Sequence, residues 1–502
     1  MRTRSGKLIL NSLYSVAGWM APILLGLLAT PIILKHLGTE SYGIYLVILG
    51  FIGYSFTLNV ARSVAKFVAE YRSSGDVERI NSAITTAFWL NLAVGVVGAV
   101  IIGLCAKWIV VDILEISEQY QAAATLALII GGISIPATLI GHIFQSILQG
   151  EHSFGALSVI TNVGSLLING GNVLLAVTGF GIDALILWTL TVAVIIAIIS
   201  FSTARKVAPD LGLTRVVSRE MIRPVVSYGS SIYVYQLCGG VLLLFERALV
   251  MRKFGGEAAS YYIVPMTLAI YFHGFVSSLL LAAFPAMNEL LSDEGRLVFL
   301  YKKLTKVIIG LTAPFLITVL LGGRLFLSLW IDEGFAANAY WLFVIHAATF
   351  GTMVLMLAVW QLNETFNFAS LNAGVTLVAS VVAIILMLYT ADRWQEEGVA
   401  ASRLIGVILT LPIIFYSERR FLADSRGSEW ISTFFRVLPA VAIFVIVEYL
   451  FFTYMGKNWP TLIGGTLIGM AGYVAVLLVT RFITDDEKDI ILKFLKVRRA
   501  SA

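Results

Sequence analysis

Apolar runs of about twenty residues follow one another along nearly the whole chain, separated by short polar breaks. A helix rising 1.5 Å per residue needs that length to cross a hydrocarbon layer roughly 30 Å thick. The pattern predicts about fourteen transmembrane helices, at 8–34, 42–69, 82–106, 122–148, 154–178, 182–202, 225–252, 261–288, 303–325, 339–362, 369–390, 399–417, 431–453 and 461–482. The fold class this defines is an all-α polytopic membrane protein.

One polar break is written twice. His36 to Val47 reads HLGTESYGIYLV, and about 217 residues later Lys253 to Val264 reads KFGGEAASYYIV. Gly38 corresponds to Gly255, Glu40 to Glu257, Tyr45 to Tyr262 and Val47 to Val264. Each copy joins two long apolar segments, so the repeat includes the surrounding hairpin. The glycines suit the left-handed backbone just past a helix end, and the acid two residues on suits the start of the next helix. The repeat predicts an N-terminal six-helix lobe (1–202), a cytoplasmic linker (203–224) and a C-terminal six-helix lobe (225–417). An extra helix pair (431–482) and a cytoplasmic tail (483–502) follow. In the extra pair, Gly465 and Gly469 form a small-residue face for packing on another helix. In the tail, Asp485, Asp486 and Glu487 precede Lys488, Lys493, Lys496, Arg498 and Arg499, which reads either as a short basic helix on the membrane surface or as a solvated end.

Composition agrees with a membrane protein. Hydrophobic residues make up 59% of the chain and charged residues only 13%, with a mean hydropathy of +0.90. A water-soluble chain of this size needs far more charge on its surface. The net charge of +5 would suggest nucleic acid in a soluble protein; here the basic residues flank spans and set orientation, and no nucleic-acid partner is expected. With alternate breaks assigned to alternate sides, roughly 25 of the 35 lysines and arginines fall with the termini and about 7 opposite. This predicts cytoplasmic termini in a bacterial cytoplasmic (inner) membrane. The apolar run after Met1, Arg2, Thr3 and Arg4 is too long for a cleaved signal and reads as a retained span. Cys105 and Cys238 lie inside apolar segments and read as small core residues.

An ionisable side chain in hydrocarbon costs on the order of 2.5 kcal/mol or more, so each one has to face protein or water. Helix 2 carries Ser55, Asn59, Arg62, Lys66 and Glu70 on one face. Two readings stand: a cationic cavity wall, or snorkelling of Arg62 and Lys66 to the interface. Helix 7 presents Gln236, Gly240 and Arg247 in one stripe, with Glu246 about 100° round the helix. Arg403, His273 and His346 are further groups within spans. Asn162, Ser165, Asn169 and Asn172 line one face of helix 5, with Asn372, Thr376 and Ser380 on helix 11. Amides and hydroxyls in this pattern can bind sugar hydroxyls or hold helices together. The buried ionisable groups are mostly basic, and such a balance attracts an anion such as phosphate.

The basic N-terminus, HLGTESYGIYLVI, the helix 2 exit AKFVAEYRSSGD and the helix 4 ending IFQSILQGEHSF resemble the polysaccharide transporter (Wzx-type oligosaccharide flippase) branch of the multidrug/oligosaccharidyl-lipid/polysaccharide exporter superfamily. The motif-level likeness lies in about the first 155 residues. The resemblance implies two six-helix lobes facing each other in a V, with two further C-terminal helices, working by alternating access. It implies as substrate an oligosaccharide on a polyprenyl pyrophosphate, turned from the cytoplasmic to the periplasmic face for O-antigen, capsule or exopolysaccharide. Membrane lipids and polysaccharide-assembly proteins are the other partners it implies. Cavity cations are usual in this branch, and Arg62 and Lys66 occupy the matching stretch of helix 2. The substrate-binding set expected on both grounds is Asn59, Arg62, Lys66, Asn169, Gln236, Arg247, His273 and Arg403. Helix 1 departs from the related lipid II flippases in having no arginine or lysine in its membrane part.

Two other functions compete. A cation-coupled multidrug exporter of the same superfamily usually needs a deep carboxylate, and the first lobe offers almost none. A membrane-embedded glycan polymerase or glycosyltransferase needs a sizeable external loop with converging acid or histidine groups. The outer loops here are short, so no catalytic residue, metal site or enzyme activity is expected. There is no GxxxxGK[ST] segment for ATP and no cofactor is expected, leaving a coupling ion (H+ or Na+) or the glycan's own concentration drop as energy source.

Overall fold

The computed structural model describes residues 4–54, 60–214, 217–227, 230–280, 283–422 and 428–484. Among these residues the structure is helical, with α1 (Arg4–Leu37), α2 (Thr39–Tyr54), α3 (Ala61–Ser74), α4 (Val77–Trp108), α5 (Glu118–Gly150), α6 (Phe154–Val177), α7 (Ile182–Val207) and α8 (Arg219–Ser227). There follow α9 (Ser230–Leu279), α10 (Ala283–Glu289), α11 (Glu294–Trp330), α12 (Glu333–Thr365), α13 (Ala369–Ile408), α14 (Pro412–Phe421), α15 (Ser428–Tyr454) and α16 (Trp459–Val479).

Among the described residues, 11 helices are long and apolar enough to cross a membrane. Two of these segments each contain two spans. The 50-residue α9 bends at Gly255 (φ 83°, ψ −176°), and α13 bends at Trp394 and Gln395. The remaining crossing is divided between α2 and α3, neither of which reaches that length by itself. The pattern of about fourteen spans therefore carries over, and the helix expected at 42–69 is described as α2 up to Tyr54 and as α3 from Ala61. Its second part begins afresh at Ala61, behind Val60, whose N–H donates to the Asn91 side chain at 3.3 Å. Asn59 and Ser55 lie outside the described residues, as does the tail from 485 onward.

The chain divides into two compact units by packing. The first comprises Met1–Thr267 with Ala369–Gly406. Here α5 packs against α4 and α7, and α1 against α6. A core of Val64, Val68, Ile84, Ala87, Ile143 and Ile147 fills the space between α3, α4 and α5, with Leu211 and Val225 of the following polar segment joining it. That segment is docked along α4: Gly212 N–H donates to Asn81 at 2.7 Å and Thr214 N–H to Thr85 at 2.7 Å. Arg72 braces it as well, donating to both carboxylate oxygens of Asp210 and pairing with Glu151 at 3.0 Å. The Arg72–Asp210 hydrogen bonds hold the Asp210 carboxyl below the usual carboxylate range and raise the Arg72 guanidinium.

The second unit comprises Leu268–Phe368 with Val407–Ala502, where α11 packs against α12 and α15. The glycine face expected on the last helix packs as anticipated. A Cβ on Gly465 would lie 2.9 Å from the Phe451 Cβ and one on Gly469 would lie 3.1 Å from the Phe444 ring, so α16 lies directly on α15. Glu448, fully buried in this packing, accepts from Thr318 at 2.7 Å and from Thr466 at 3.2 Å. Both hydroxyls donate to the same oxygen, Oε1, which lowers the cost of burying the group.

The candidate site in the first unit

The repeated break is a structural device. Gly38 has φ 84° and Gly255 φ 83°, a left-handed backbone that only glycine adopts without strain. Glu40 and Glu257 both fall just after these turns, as the register predicts; Glu40 accepts from Ser117 at 2.7 Å and Glu257 from Tyr261 at 2.7 Å. The two copies also pack on each other. A Cβ on Gly43 would overlap the Gly256 carbonyl, and one on Gly256 would lie 2.6 Å from the Glu40 carbonyl. Ser260, which corresponds to Gly43 in the repeat, donates to the Thr39 carbonyl at 2.6 Å, and Thr39 corresponds to Gly256. The contact is therefore reciprocal, as in an isologous interface, with small residues where the backbones approach. Arg252–Glu115 (2.7 Å) and Lys253–Asp392 pairs flank it.

The bend at Gly255 returns the second part of α9 onto the first. Tyr262 donates to Glu246 at 3.1 Å, while the other Glu246 oxygen accepts from Arg403 of α13. Glu246 and Tyr262 are 0% exposed, and Arg403 is 4% exposed. Arg247, on the adjacent helix face, turns to α2: its guanidinium lies over the Tyr54 ring at 5.1 Å and donates to the Leu46 carbonyl at 3.4 Å. Gly50 makes the room, because a Cβ there would stand 3.0 Å from the guanidinium nitrogen. The result is a buried, mutually neutralising cluster of Glu246, Arg403 and Tyr262 with Arg247 beside it.

A second feature of this unit is a cavity of about 370 Å³ among α1, α5, α6 and α7. Gly141 and Ala137 of α5, Gly164 of α6, and Ala193 and Ala197 of α7 leave this space open by their small size. Its polar wall is formed by Thr138, His142 and Gln145 of α5, Thr161, Ser165 and Asn169 of α6, and Thr189 of α7. Several are held locally. Asn169 donates to the Ser165 carbonyl at 2.9 Å, Gln145 to the Ser200 hydroxyl at 3.3 Å, and Thr138 and Thr189 to carbonyls four residues back. No lysine, arginine, aspartate or glutamate lines it. Amides, hydroxyls and an imidazole can exchange hydrogen bonds with a hydroxyl-rich ligand, and the volume is in the range of small-ligand sites, roughly 300–1,000 Å³.

The residues expected to bind substrate are distributed among these features. Asn169 lies in the cavity wall, and Arg247 and Arg403 lie in the buried cluster. Lys66 is on α3 beside Glu70 (3.7 Å), with 40% of its side chain exposed. Arg62 is on the same helix and Gln236 on α9, with side chains outside what is described. His273 belongs to the second unit, where its ring meets the Phe350 ring edge-on at 6.3 Å. Asn172, from the same stripe as Asn169, holds helices together by donating to the Tyr45 hydroxyl at 2.9 Å. Sequence reasoning missed Thr138, His142, Gln145 and Thr161. Their signal was present: 138, 142 and 145 recur at four and three residues, one face of a helix.

Solved structures share this many-span helical fold. The lipid II flippase MurJ in an inward closed conformation matches with a TM-score of 0.71 at 15% identity, over 94% of this chain and 99% of that one. An inward-facing multidrug resistance MATE transporter of the MOP superfamily matches with a TM-score of 0.66 at 13% identity, over 82% of this chain and 98% of that one. The model of the polysaccharide biosynthesis protein family matches residues 37–336, and the chain belongs to that family. A Shigella flexneri protein named "Putative O-antigen transporter" is 22% identical over 80% of this chain and 95% of its own length. The Bacillus subtilis (strain 168) membrane protein EpsK, named as uncharacterized, is 22% identical over 98% of this chain and 99% of its own length.

Proposed function

We propose that this protein flips a polyprenyl-pyrophosphate-linked oligosaccharide from the cytoplasmic to the outer leaflet of the cytoplasmic membrane by alternating access, for O-antigen, capsule or exopolysaccharide assembly. Membership of the polysaccharide biosynthesis family supports a glycan substrate. The names of two similar proteins, an O-antigen transporter and a lipid II flippase, support a lipid-linked one. The structural observation that carries the reading is the set of amides, hydroxyls and an imidazole among the apolar residues lining the cavity of about 370 Å³. A sugar presents a donor and an acceptor at each hydroxyl, and Asn169, Ser165, Thr161, Gln145 and His142 offer both in return.

In this proposal the glycan is held by neutral groups and the pyrophosphate is drawn in by cations nearer the interface. Arg62 and Lys66 on α3 are the entry cations, with the termini cytoplasmic. Holding the glycan by many modest hydrogen bonds suits transport, because each is worth only about 0.5–1.5 kcal/mol net and the cargo must also leave. The energy source is an ion gradient or the glycan's own concentration difference.

The test is complementation of a strain lacking the gene. Asn169→Ala combined with Ser165→Ala is expected to abolish surface polysaccharide while the protein remains in the membrane at its normal level. Normal polysaccharide from that variant would remove the cavity from the account.

A further inference from the structure

The second unit contains a site of another kind. A pocket of about 330 Å³ lies where the first turns of α11 and α15 meet the end of α14 and the residues just after α16. Lys302, Lys303, Lys306, Arg436 and Arg481 line it, against a single carboxylate, Glu418. That carboxylate is fully buried and engaged in the floor, accepting from Tyr301 at 2.9 Å and from Trp430 at 2.7 Å. The wall is thus strongly cationic. Lys306 lies 4.8 Å over the Phe482 ring and Lys303 lies 4.9 Å over the Phe299 ring, which keeps both ammonium groups at the mouth.

Lys303, Lys306 and Phe482 also border a second, larger space of about 860 Å³ running along α11 and α16. Its walls are almost entirely apolar, with Leu311, Phe315, Met470 and Leu477 among them. A cationic pocket opening at its mouth into an apolar groove matches, in order, the phosphate and the acyl chains of a membrane lipid.

We propose that this is a binding site for an anionic phospholipid of the leaflet at the first turns of α11 and α15, with its phosphate among Lys303, Lys306 and Arg436 and its chains in the groove. The size of the pocket favours a phospholipid. Its volume of about 330 Å³, floored by Tyr301, Trp430 and Glu418, suits a phosphodiester and a small head group, and its lining shares no residue with the cavity of the first unit. The site is therefore separate from the cavity of the first unit, and its occupancy does not depend on what the protein transports.

Native mass spectrometry of the purified full-length protein tests it directly, with phosphatidylglycerol and phosphatidylethanolamine offered at equal concentration. The expected result is at least about tenfold greater retention of phosphatidylglycerol, since each cation near a lipid phosphate adds attraction. The preference is expected to vanish in the K303Q/K306Q/R436Q variant and to persist in K206Q/R219Q, which removes exposed charge from the first unit. Equal retention of the two lipids, or an unchanged preference in the triple variant, would overturn the proposal. So would displacement of phosphatidylglycerol by inorganic phosphate, which would make this a simple ion site, or by an equimolar polyprenyl pyrophosphate, which would give the site to the substrate. Increased retention on removing 485–502 would overturn it too, because the acidic start of that tail would then be the natural occupant. Monodispersity and an unchanged melting profile of the variant establish that it is folded.

Discussion

The first unit keeps polar groups among its helices in two ways. The cluster at Glu246 holds formal charges: the carboxylate is met by the Arg403 guanidinium and the Tyr262 phenol, and the neighbouring Arg247 lies on an aromatic face and a carbonyl. The cavity of α5–α7 holds no formal charge, and its groups make weaker, local bonds while an open volume lies beside them. The difference follows from solvation. A buried charge must be neutralised on the spot, which consumes its directional bonds and ties the elements that supply them. A buried amide or hydroxyl is satisfied by a carbonyl four residues back and still has capacity for a ligand. In the proposed function, charge here serves the fold and neutral polarity serves the cargo.

Breaking the cluster tests this most severely. Arg403→Ala leaves Glu246 buried without its guanidinium, and a loss of about 3–5 kcal/mol is expected. The measurement is the melting temperature of the detergent-solubilised protein, together with its amount in the membrane. Glu246→Leu with Arg403→Leu should recover much of that loss, since the pair is replaced by apolar volume. If Arg403→Ala instead gave full stability but no transport, the comparison between fold charges and cargo groups would have to be reversed.

Gly43→Ala strikes the contact between the two copies of the repeat. Its Cβ would meet backbone atoms, which cannot swing aside, so a cost of about 1–3 kcal/mol is expected by the same assay. Gly53→Ala on the same helix meets nothing within 4 Å and should be neutral.

At the cavity the expectation is opposite in kind. Asn169→Ala should change the melting temperature little and lower transport about tenfold, corresponding to about 1.4 kcal/mol. The smallest effect belongs to the exposed Arg72–Asp210 contact, where Asp210→Asn should cost under about 1 kcal/mol. The sign of its pH dependence is fixed. Asp210 has a folded pKa below its unfolded one, so its contribution is full above the ordinary carboxylate range and is lost as pH falls through the lowered folded value. Wild type and Asp210→Asn should therefore differ by a constant amount between about pH 6 and 8 and converge only in acid.

These two regions were not equally legible in the sequence. The spans were, because twenty apolar residues in a row have few other uses. Gly38 and Gly255 were legible too, since the repeat marked the same turn twice and both take the left-handed backbone. The start of α3 at Ala61 was not, because the polar residues around it recur at helical spacing on one face and mark no end of a helix. The partner of Arg403 was hidden for a different reason: Glu246 lies 157 residues away, and no local period connects them. Lone arginines within spans drew attention as ligands for phosphate, whereas the structure places Arg403 on a carboxylate and Arg247 on a ring and a carbonyl. The cavity was half legible. Ser165 and Asn169 stood out as a stripe, but Thr138, His142 and Gln145 are single polar residues in an apolar helix, and only the packing of α5 beside α6 and α7 brings the two faces together.

The central claim is that neutral polar groups of α5–α7 carry a lipid-linked glycan. It is tested most directly by flipping of a fluorescent polyprenyl-pyrophosphate oligosaccharide in proteoliposomes containing only this protein, compared with its N169A/S165A variant. The account predicts flipping by the wild type and its loss in the variant, with both proteins equally folded and inserted. Equal flipping by the two would contradict it, and so would a wild-type protein that leaves the labelled glycan lipid in its original leaflet.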